Sequence, residues 1–400
     1  MYSYRKIKDD IYMIGASDRR LALFENVYPI PEGVSYNSYF VDDEKTVVLD
    51  TVDKSVSGVF FENIKHLLGG RQLDYLIVNH MEPDHCAMIG DVIIRYPDVK
   101  IVGNAKTLTM IENFFGEINK DNFISVKEGD TLSTGKHTYT FVMAPMVHWP
   151  EVMVTYDVTE KILYSADAFG SFGALDGNIF ADEIEYDNHR IDEARRYYTN
   201  IVGKYGAQVQ ALLKKAQTID IQMICPLHGH IFRKDFGFIL EKYDLWSRYE
   251  PEGKSVVIAY ASIYGNTENA VSVLANMLAD KGVKNIKVYD VSVTHPSYVL
   301  SECFRASHIV FASSTYNGGI FTNMENLLHD IKAHALQNKK VHIIENGSWG
   351  AVAGRKIEEI LSTLKGFEIA EEKISIKSAL KDGQLESLEK VAEKIASEVM

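Results

Sequence analysis

The second part of this 400-residue chain alternates regularly between strand-like and helix-like segments, and this alternation limits its fold most strongly. The sequence predicts strands at residues 255–260, 286–289, 308–312 and 341–344, with a weaker one near residue 368. It predicts helices at residues 267–281, 297–305, 323–335, 353–364 and 385–398. Alternating strand–helix units of this length form a doubly wound parallel sheet with right-handed crossovers.

The pattern changes at residues 249–254, where Pro and Gly stand among charged residues, as is typical of a linker. The earlier segments are less regular: strands are predicted at residues 11–15, 36–41, 47–50, 73–79, 138–144, 152–156, 162–165 and 221–225, and helices near residues 56–68 and 194–215. Mixed strands and helices suggest an αββα sandwich, although periodicity alone does not fix that topology. We therefore predict two domains, residues 1–250 and 254–400, as the chain length favours.

Composition narrows the class of protein. With 46% hydrophobic and 24% charged residues, the chain has the make-up of a soluble globular protein. A formal net charge of −13 argues against nucleic-acid binding, which needs a basic surface. We see no apolar run approaching 18 residues and no secretory signal in the first ten, so we expect no membrane span and a cytoplasmic location.

The three cysteines, Cys86, Cys225 and Cys303, are scattered and include no Cys-x-x-Cys pair. This pattern excludes a disulfide framework and a fused thiolate-bound iron domain. We predict that each is a small buried hydrophobic residue in a reducing compartment.

A short loop after the strand at residues 73–79 is dense in potential metal ligands. It holds His80, Glu82, Asp84 and His85 within six residues. Such side chains are costly to cluster without a cation, so the loop suggests a metal site at a sheet edge. Taken alone, it leaves the alternative of a solvated polar loop open.

Three later residues favour the metal site. His148, Asp167 and His228 each follow a predicted strand, at residues 138–144, 162–165 and 221–225. One sheet edge could therefore bring all three together with the loop that begins at His80. A lone histidine is usually structural, but several potential ligands at strand ends reverse that expectation.

Together these seven residues resemble the ligand signature of the flavodiiron proteins (A-type flavoproteins). In that family a metallo-β-lactamase-like domain precedes a flavodoxin-like domain, and the resemblance covers essentially the whole chain. The spacings agree, since 62 residues lie between His85 and His148, 18 between His148 and Asp167, and 60 between Asp167 and His228.

The resemblance implies two non-haem irons. It assigns one iron to His80, Glu82 and His148, the other to Asp84, His85 and His228, and makes Asp167 the bridge between them. Whether His85 coordinates stays open, and His230 competes with His228, although the 60-residue spacing favours His228. Zinc hydrolases of the same superfamily usually have His at the position of Glu82, and a carboxylate suits iron better than zinc.

Three polar, glycine-containing loops, at residues 262–267, 313–318 and 346–350, follow strands of the second domain. In a flavodoxin-like strand order 2-1-3-4-5 these loops meet at the carboxyl ends of the strands. Thr267 opens a helix whose N–H groups and dipole can hold a phosphate, and Tyr316 and Trp349 offer flat faces to an isoalloxazine ring. We predict FMN; the patterns for ATP or tightly bound NAD are absent. The candidate contacts are Ser262, Ile263, Tyr264, Gly265, Asn266, Thr267, Ser314, Thr315, Tyr316, Asn317, Gly318, Gly347, Ser348, Trp349 and Gly350.

The resemblance implies an oxidoreductase that reduces O2 to water, NO to N2O, or both, with FMN relaying electrons to the irons. The electron donor is expected to be a separate rubredoxin-like protein or another flavin or iron protein, because the chain lacks Cys-x-x-Cys. A head-to-tail homodimer or a homotetramer is expected, with the flavin of one subunit facing the irons of its neighbour. Glu25 and either Tyr197 or Tyr198 are candidates for tuning the preference between O2 and NO.

Two alternatives remain open from the sequence. One is a zinc hydrolase fused to a flavodoxin, which Glu82 disfavours. The other is an electron carrier whose first domain is only structural, which the seven ligand-type residues disfavour.

Overall fold

The structure is a computed structural model that describes residues 1–186 and 190–399. Its contacts divide the chain into two compact units, one with residues up to 198 and residues 207–243, the other with residues 199–206 and residues from 244 onward. The domain limits predicted at residues 250 and 254 stay a prediction. Within the described ranges, no helix combines the length and the apolar character needed to cross a bilayer.

The first part of the chain contains sixteen short strands among its described residues. They are β1 Arg5–Lys8, β2 Ile11–Met13, β3 Ala16–Asp18, β4 Leu23–Phe24, β5 Tyr28–Pro29, β6 Val34–Tyr36, β7 Tyr39–Val41, β8 Val47–Leu49, β9 Tyr75–Ile77, β10 Lys100–Gly103, β11 Phe123–Ser125, β12 Thr131–Ser133, β13 Thr138–Met143, β14 Met153–Asp157, β15 Ile162–Tyr164 and β16 Met223–Cys225. The α-helices are α1 Ser57–Leu68, α2 Pro83–Cys86, α3 Ile89–Arg95, α4 Ala105–Phe115, α5 Arg190–Tyr197, α6 Gly206–Ala216 and α7 Gly237–Ser247.

Two sheets form the core of the first unit. Seven strands pair in the order β1-β2-β7-β8-β9-β10-β11, and five pair in the order β12-β13-β14-β15-β16. Both sheets contribute to one hydrophobic core, for example Tyr39 and Ile77 from the first and Phe141 and Tyr164 from the second. Because alternate side chains of a strand point to one face, this shared core packs the sheets face to face. The predicted metallo-β-lactamase-like sandwich is confirmed.

One prediction in the first part of the chain is wrong in detail. Residues 36–41 do not form one strand, because the chain leaves one sheet at Tyr36 and joins another at Tyr39. Between them, Asn37 donates its side-chain amide to the carbonyl oxygens of Pro226 and Gly229, both at 2.9 Å. Near residues 194–215, where helices are predicted, the chain forms α5 and α6, separated by a π-helical turn, Tyr198–Val202, and a 3-10 turn, Gly203–Tyr205. The three cysteines are buried free thiols, as predicted.

The second part of the chain alternates strands and helices as the sequence predicts. Its elements are β17 Val256–Ala261, α8 Asn266–Asp280, β18 Ile286–Asp290, α9 Pro296–Arg305, β19 His308–Tyr316, β20 Gly319–Ile320, α10 Thr322–Ala333, β21 Lys339–Asn346, α11 Ala353–Leu361, β22 Phe367–Ile369, β23 Ile374–Ile376 and α12 Asp382–Val399.

The sheet of the second unit has the order β18-β17-β19-β21-β22, with all four of these neighbouring pairs parallel. In chain order this is 2-1-3-4-5, so the predicted flavodoxin-like topology is confirmed. Helix α8 buries Ala270, Val271, Leu274 and Leu278 at helical spacing against the strands, in the same core as α12. The outer edge consists of two short strands, β22 and β23, which pair with successive parts of β21.

Candidate functional site

The seven predicted ligands come together at the ends of strands in the first unit. Strands β13, β15 and β16 run in the same direction, because β14 is antiparallel to β13 and β15, and β15 is parallel to β16. Their carboxyl ends therefore share one sheet edge, and His148, Asp167 and His228 follow those ends. The loop that starts at His80 follows β9 of the other sheet.

The first candidate metal position is formed by His80, Glu82, His148 and Asp167. One carboxylate oxygen of Glu82 lies 3.3 Å from Nε2 of His80 and 3.0 Å from Nε2 of His148. Oδ2 of Asp167 lies 3.2 Å from each of the same two nitrogens. Two imidazole nitrogens and two carboxylates thus converge on one point, as a metal ion requires.

The second candidate position is formed by Asp84, His85 and His228. Nε2 of His85 lies 2.9 Å from Nε2 of His228, and Oδ2 of Asp84 lies 3.3 Å and 3.2 Å from them. The other oxygen of Asp167, Oδ1, lies 3.2 Å from Nε2 of His85. Asp167 therefore presents one oxygen to each position, as a bridging carboxylate does.

Helix α2 aims the acidic and imidazole side chains of this loop. Glu82 is the last residue before the helix, and Pro83 occupies its first position, where a missing N–H costs nothing. Asp84 and His85 lie in the only turn of this four-residue helix, so a single turn directs both side chains into the second position.

These residues fit a pair of cations. Both carboxylate oxygens of Asp84 and of Asp167 are buried without a hydrogen-bond donor among the described residues. Buried carboxylates without donors are costly unless a cation satisfies them. Nδ1 of His228 lies 2.7 Å from the carbonyl oxygen of Ser35, so Nδ1 carries the proton and Nε2 offers its lone pair to the site. A mixed set of imidazoles and carboxylates suits iron.

Without a cation, the charges of the site act on one another. Burial opposes a charge on His80, but the neighbouring Asp167 and the other carboxylates raise the pKa of His80 well above its ordinary value. Burial likewise opposes a charge on His148, yet its contacts with Asp167 and Glu82 raise the pKa of His148 to about 9. The carboxylates of this pocket therefore favour positively charged imidazoles. A bound metal ion would supply positive charge at the same place.

Glu25, Tyr197 and Tyr198, the candidates for tuning the preference between O2 and NO, differ in their contacts. Glu25 lies in the turn of the β4–β5 hairpin, where Glu25 and Asn26 have φ values of 49° and 57°. Glu25 is exposed as a whole residue, but its carboxyl group is largely enclosed beside Glu82. This burial and the charge of Glu82 raise the pKa of Glu25 to about 8. The Tyr197 ring is 5.3 Å from the His228 ring, whereas Tyr198 packs on Tyr243 at 4.9 Å.

His230 lies outside both candidate positions. Its ring contacts the Tyr186 ring edge-on at 5.9 Å, and burial lowers the pKa of His230 to about 4. Gly229, with φ of 76°, separates the two histidines, and its Cβ would meet Ser171 Oγ at 2.2 Å. The spacing argument that favoured His228 agrees with this geometry.

The second unit contains a cavity of about 570 Å³ at the carboxyl ends of its strands. All the predicted flavin-contact residues line it except Gly265, whose neighbours do. Asn346, Val352 and Ser378 also line it and were not among the predicted contacts. Asn346 and Ser378 are joined by two hydrogen bonds of 2.9 and 3.1 Å, which connect the segment after β23 to the third loop.

This cavity fits FMN. Helix α8 begins after Gly265 without a side-chain cap, so its first N–H groups are available to a phosphate. The hydroxyls of Thr267 and Ser314 lie 2.9 Å apart beside it. Tyr264 and Trp349 are 91% and 95% exposed, which leaves their aromatic faces open to a planar ring system.

Three residues beside the metal positions were missed in the sequence. Glu151 accepts a hydrogen bond from Nδ1 of His80 at 2.9 Å, Trp149 packs edge-on against the His80 ring at 5.5 Å, and Phe24 packs edge-on against the His228 ring at 5.4 Å. The available signal was nearness to His148 in the sequence: Trp149 directly follows it, and Glu151 lies three positions after it.

Known proteins match both units. Residues 34–229 match the protein-family model described as ODP family beta lactamase, and residues 258–398 match the family model described as flavodoxin. The rubredoxin-oxygen oxidoreductase of Megalodesulfovibrio gigas is 32% identical over 400 residues, covering 98% of this chain and 97% of that protein. The nitric oxide reductase of Moorella thermoacetica is 31% identical, covering 98% of each chain.

Solved structures agree. The rubredoxin oxygen:oxidoreductase from Desulfovibrio gigas superposes with a TM-score of 0.92 at 30% identity, covering 99% of this chain and 98% of that one. The flavodiiron protein from Giardia intestinalis superposes with a TM-score of 0.93 at 25% identity, covering 99% and 97%.

Proposed function

Because this chain belongs to the flavodiiron protein family, we propose that it is an oxidoreductase that reduces O2 to water, NO to N2O, or both. The observation that carries the proposal is the pair of ligand clusters joined by Asp167. Irons bound there would supply the binding and reduction of the diatomic gas, and FMN in the second unit would supply the electrons. A zinc hydrolase is disfavoured because Glu82 places a carboxylate where an imidazole would suit zinc.

The ligands divide into two sets in this proposal. His80, Glu82 and His148 would hold one iron and Asp84, His85 and His228 the other, with Asp167 shared between them. Nε2 of His85 faces the same point as Nε2 of His228, so we include His85 among the ligands. Hydrogen bonds on Nδ1 of His80 and Nδ1 of His228 fix both rings with Nε2 directed inward.

The reaction consumes protons, and Glu25 is placed to hold one. Reduction of O2 to two waters takes up four protons, and reduction of two NO to N2O and water takes up two. In the metal-free site, burial and the charge of Glu82 raise the pKa of Glu25 to about 8, so a carboxyl group that can carry a proton lies beside Glu82. Tyr197 is buried beside His228, and its hydroxyl has no hydrogen-bond partner among the described residues.

We further propose that the three polar loops of the second unit bind FMN, with its phosphate at the start of α8. The electron donor is proposed to be a separate rubredoxin-like protein or another flavin or iron protein. We also propose that the protein is cytoplasmic and that it forms a head-to-tail homodimer or a homotetramer.

Anaerobic stopped-flow measurement tests the function. The iron- and FMN-loaded protein is reduced, then mixed separately with O2 and with NO while flavin oxidation and gas consumption are followed. We expect at least one gas to be consumed, with reoxidation of the flavin. The matched control is Asp167→Ala, which should keep its flavin and consume neither gas. Iron-loaded protein that consumes neither gas would overturn the proposal.

A further inference from the structure

The two candidate metal positions differ in the group behind their imidazoles. Nδ1 of His80, in the first position, lies 2.9 Å from a carboxylate oxygen of Glu151. Nδ1 of His228, in the second position, lies 2.7 Å from the neutral carbonyl oxygen of Ser35. Nδ1 of His85, also in the second position, has no hydrogen-bond partner among the described residues. Of these three imidazoles, only that of His80, in the first position, therefore has a negatively charged group at Nδ1.

Glu151 is held firmly in this place. Its Oε1 also accepts the backbone N–H of Met81 at 2.8 Å, and its own carbonyl accepts the side-chain amide of Asn104 at 2.5 Å. The side chains of His80 and Glu151 are both fully buried. The hydrogen bond from Nδ1 fixes the tautomer of His80, so that Nε2 carries the lone pair that faces the metal position.

Little else neutralises the charge of Glu151. Its second oxygen, Oε2, is buried and has no hydrogen-bond donor among the described residues. A carboxylate that accepts from Nδ1 makes the imidazole a stronger electron donor through Nε2. The ligand sets themselves are balanced, because each position has one carboxylate of its own, Glu82 or Asp84, and shares Asp167. Glu151 therefore distinguishes two otherwise similar positions.

We propose that Glu151 is a positioning residue that makes the two metal positions unequal. The His80 position binds its ion more tightly and holds it in the more oxidised state, and the His228 position accepts the first electron. This inference rests on the diiron centre of the proposed function, but it concerns the binding and potentials of the metals and not turnover.

Metal affinity gives the first test. Full-length, iron-loaded wild type, Glu151→Gln and Glu151→Ala are titrated anaerobically with a chelator while iron release is followed. Gln keeps the acceptor for His80 but removes the charge, whereas Ala removes both. In Glu151→Gln we expect the affinity for the more tightly bound iron to fall about 10- to 100-fold. The affinity for the other iron should stay unchanged. Ala should lower the affinity for the more tightly bound iron further.

A matched control separates this effect from simple loss of a buried ion pair. Asp157 accepts from Nδ1 of His137 at 2.6 Å, and both side chains are fully buried, as in the Glu151–His80 pair. Asp157→Asn should leave both iron affinities unchanged. The inference would be overturned if Glu151→Gln lowered the affinity for both irons equally or for neither. A loss of iron affinity of the same size in Asp157→Asn would also overturn it.

Redox potentials give the second test. In an anaerobic titration followed by electron paramagnetic resonance, the lower of the two iron potentials should rise in Glu151→Gln while the higher stays fixed. Glu25, whose carboxyl group contacts Glu82, is the other acidic side chain beside the ligands of the first position, so Glu25→Gln is measured alongside. A shift of the lower potential in Glu25→Gln but not in Glu151→Gln, or a shift of the higher potential alone, refutes the assignment. Wild type that passes both tests but consumes neither gas refutes only the proposed function.

Discussion

Glu82 touches both imidazoles of the first metal position through one oxygen, at 3.3 Å and 3.0 Å. Replacing it with His should exchange a hard anionic ligand for a neutral nitrogen and so favour zinc over iron. For Glu82→His, purified from cells supplied with both metals, we expect a higher zinc-to-iron ratio and loss of O2 and NO consumption. Elemental analysis and a gas electrode measure these. The exposed Glu44→His serves as control, and a Glu82→His protein with full iron and turnover contradicts the assignment.

Asp167 presents Oδ2 to the first position and Oδ1 to the second. Asp167→Ala should therefore weaken both irons, not one, while the FMN cavity of the other unit stays intact. The checks are the iron and flavin contents per chain after gel filtration. An Asp167→Ala protein that keeps one iron at wild-type affinity would show that Asp167 does not bridge.

At the residue scale, the sequence indicated the ligands because four of them crowd into one loop and the others follow predicted strands. Glu151 escaped notice for a physical reason. Its role depends on a contact with His80 across 71 positions of the chain, and its place three positions after His148 does not reveal which residue it contacts. Asn37 is similar, since its amide bonds to carbonyls of Pro226 and Gly229.

Between elements, His137 joins the start of β13 to the end of β14 through Asp157, and its Nε2 lies 3.3 Å from Asp10. Burial opposes a charge on His137, but the hydrogen bonds and charges of Asp157 and Asp10 outweigh it and raise the pKa of His137. A raised folded-state pKa stabilises the fold fully below the unfolded value of about 6.5, and this stabilisation is lost as pH rises through the folded value.

We therefore expect the first unit to melt at lower temperature as pH rises through this window. Asp157→Asn should flatten that dependence and cost about 1–3 kcal/mol at low pH. Thermal melts followed by near-ultraviolet circular dichroism at about pH 6 and about pH 9 compare the two proteins. An unchanged slope in Asp157→Asn would show that the pair does not set it.

The third loop of the flavin cavity contains a glycine with no spare room. A Cβ on Gly347 would lie 2.5 Å from the carbonyl oxygen of Gly350 and 2.8 Å from the backbone of Ala351. The loop must then shift, at a cost of about 1–3 kcal/mol. Gly347→Ala should therefore lower the affinity for FMN about tenfold or more. Gly383→Ala, at the exposed start of α12 and outside the cavity lining, is the control, because its Cβ meets nothing within 4 Å. Fluorescence titration of flavin-free protein measures both, and equal affinities would argue against FMN contact by this loop.

Element prediction succeeded where segments were long and failed where they were short. The strands and helices from β17 to α12 follow the predicted pattern because buried parallel strands and amphipathic helices leave clear runs. Strands of two or three residues, such as β4 and β5, are too short to show a period. The π-helical turn at Tyr198–Val202 was not predicted for a different reason, because such a turn changes the hydrogen bonding of the backbone without changing the composition.

For the whole molecule, the proposed head-to-tail oligomer predicts complementation between inactive variants. Asp167→Ala should lack iron, and a Ser262→Ala, Thr267→Ala double variant should lack flavin. After subunit exchange, each hybrid dimer joins one intact flavin to the neighbour's intact irons and so recovers one of its two flavin–iron pairs, as a two-fold arrangement allows. Random exchange makes about half of the dimers hybrids, so about a quarter of the wild-type activity should return. Gas consumption by the mixture measures this. Inactive mixtures despite proven exchange, or an active monomer, would refute electron transfer between subunits.

The two-unit plan was visible in the sequence, but the membership of residues 199–206 in the second unit was not. This segment is held by distant partners within that unit: the carbonyl of Asn200 lies 3.0 Å from Nε2 of His334, and its amide donates to the carbonyl of Ser297 at 3.2 Å. Contacts across about a hundred positions follow from tertiary packing and not from local pattern. Fragments cut at residue 254 would lose them.

The outer border of the second sheet has a consequence for how the protein behaves when crowded. A long, flat border strand is a template on which another chain can add itself, and growth of this kind leads to insoluble polymers. Here β22 and β23 supply only three residues each, and the exposed Glu368, Glu371 and Glu372 stand on or between them. A chain that docks on this border meets short stretches of free backbone and a concentration of negative charge. The break between the two strands thus protects the protein against polymerisation at high concentration.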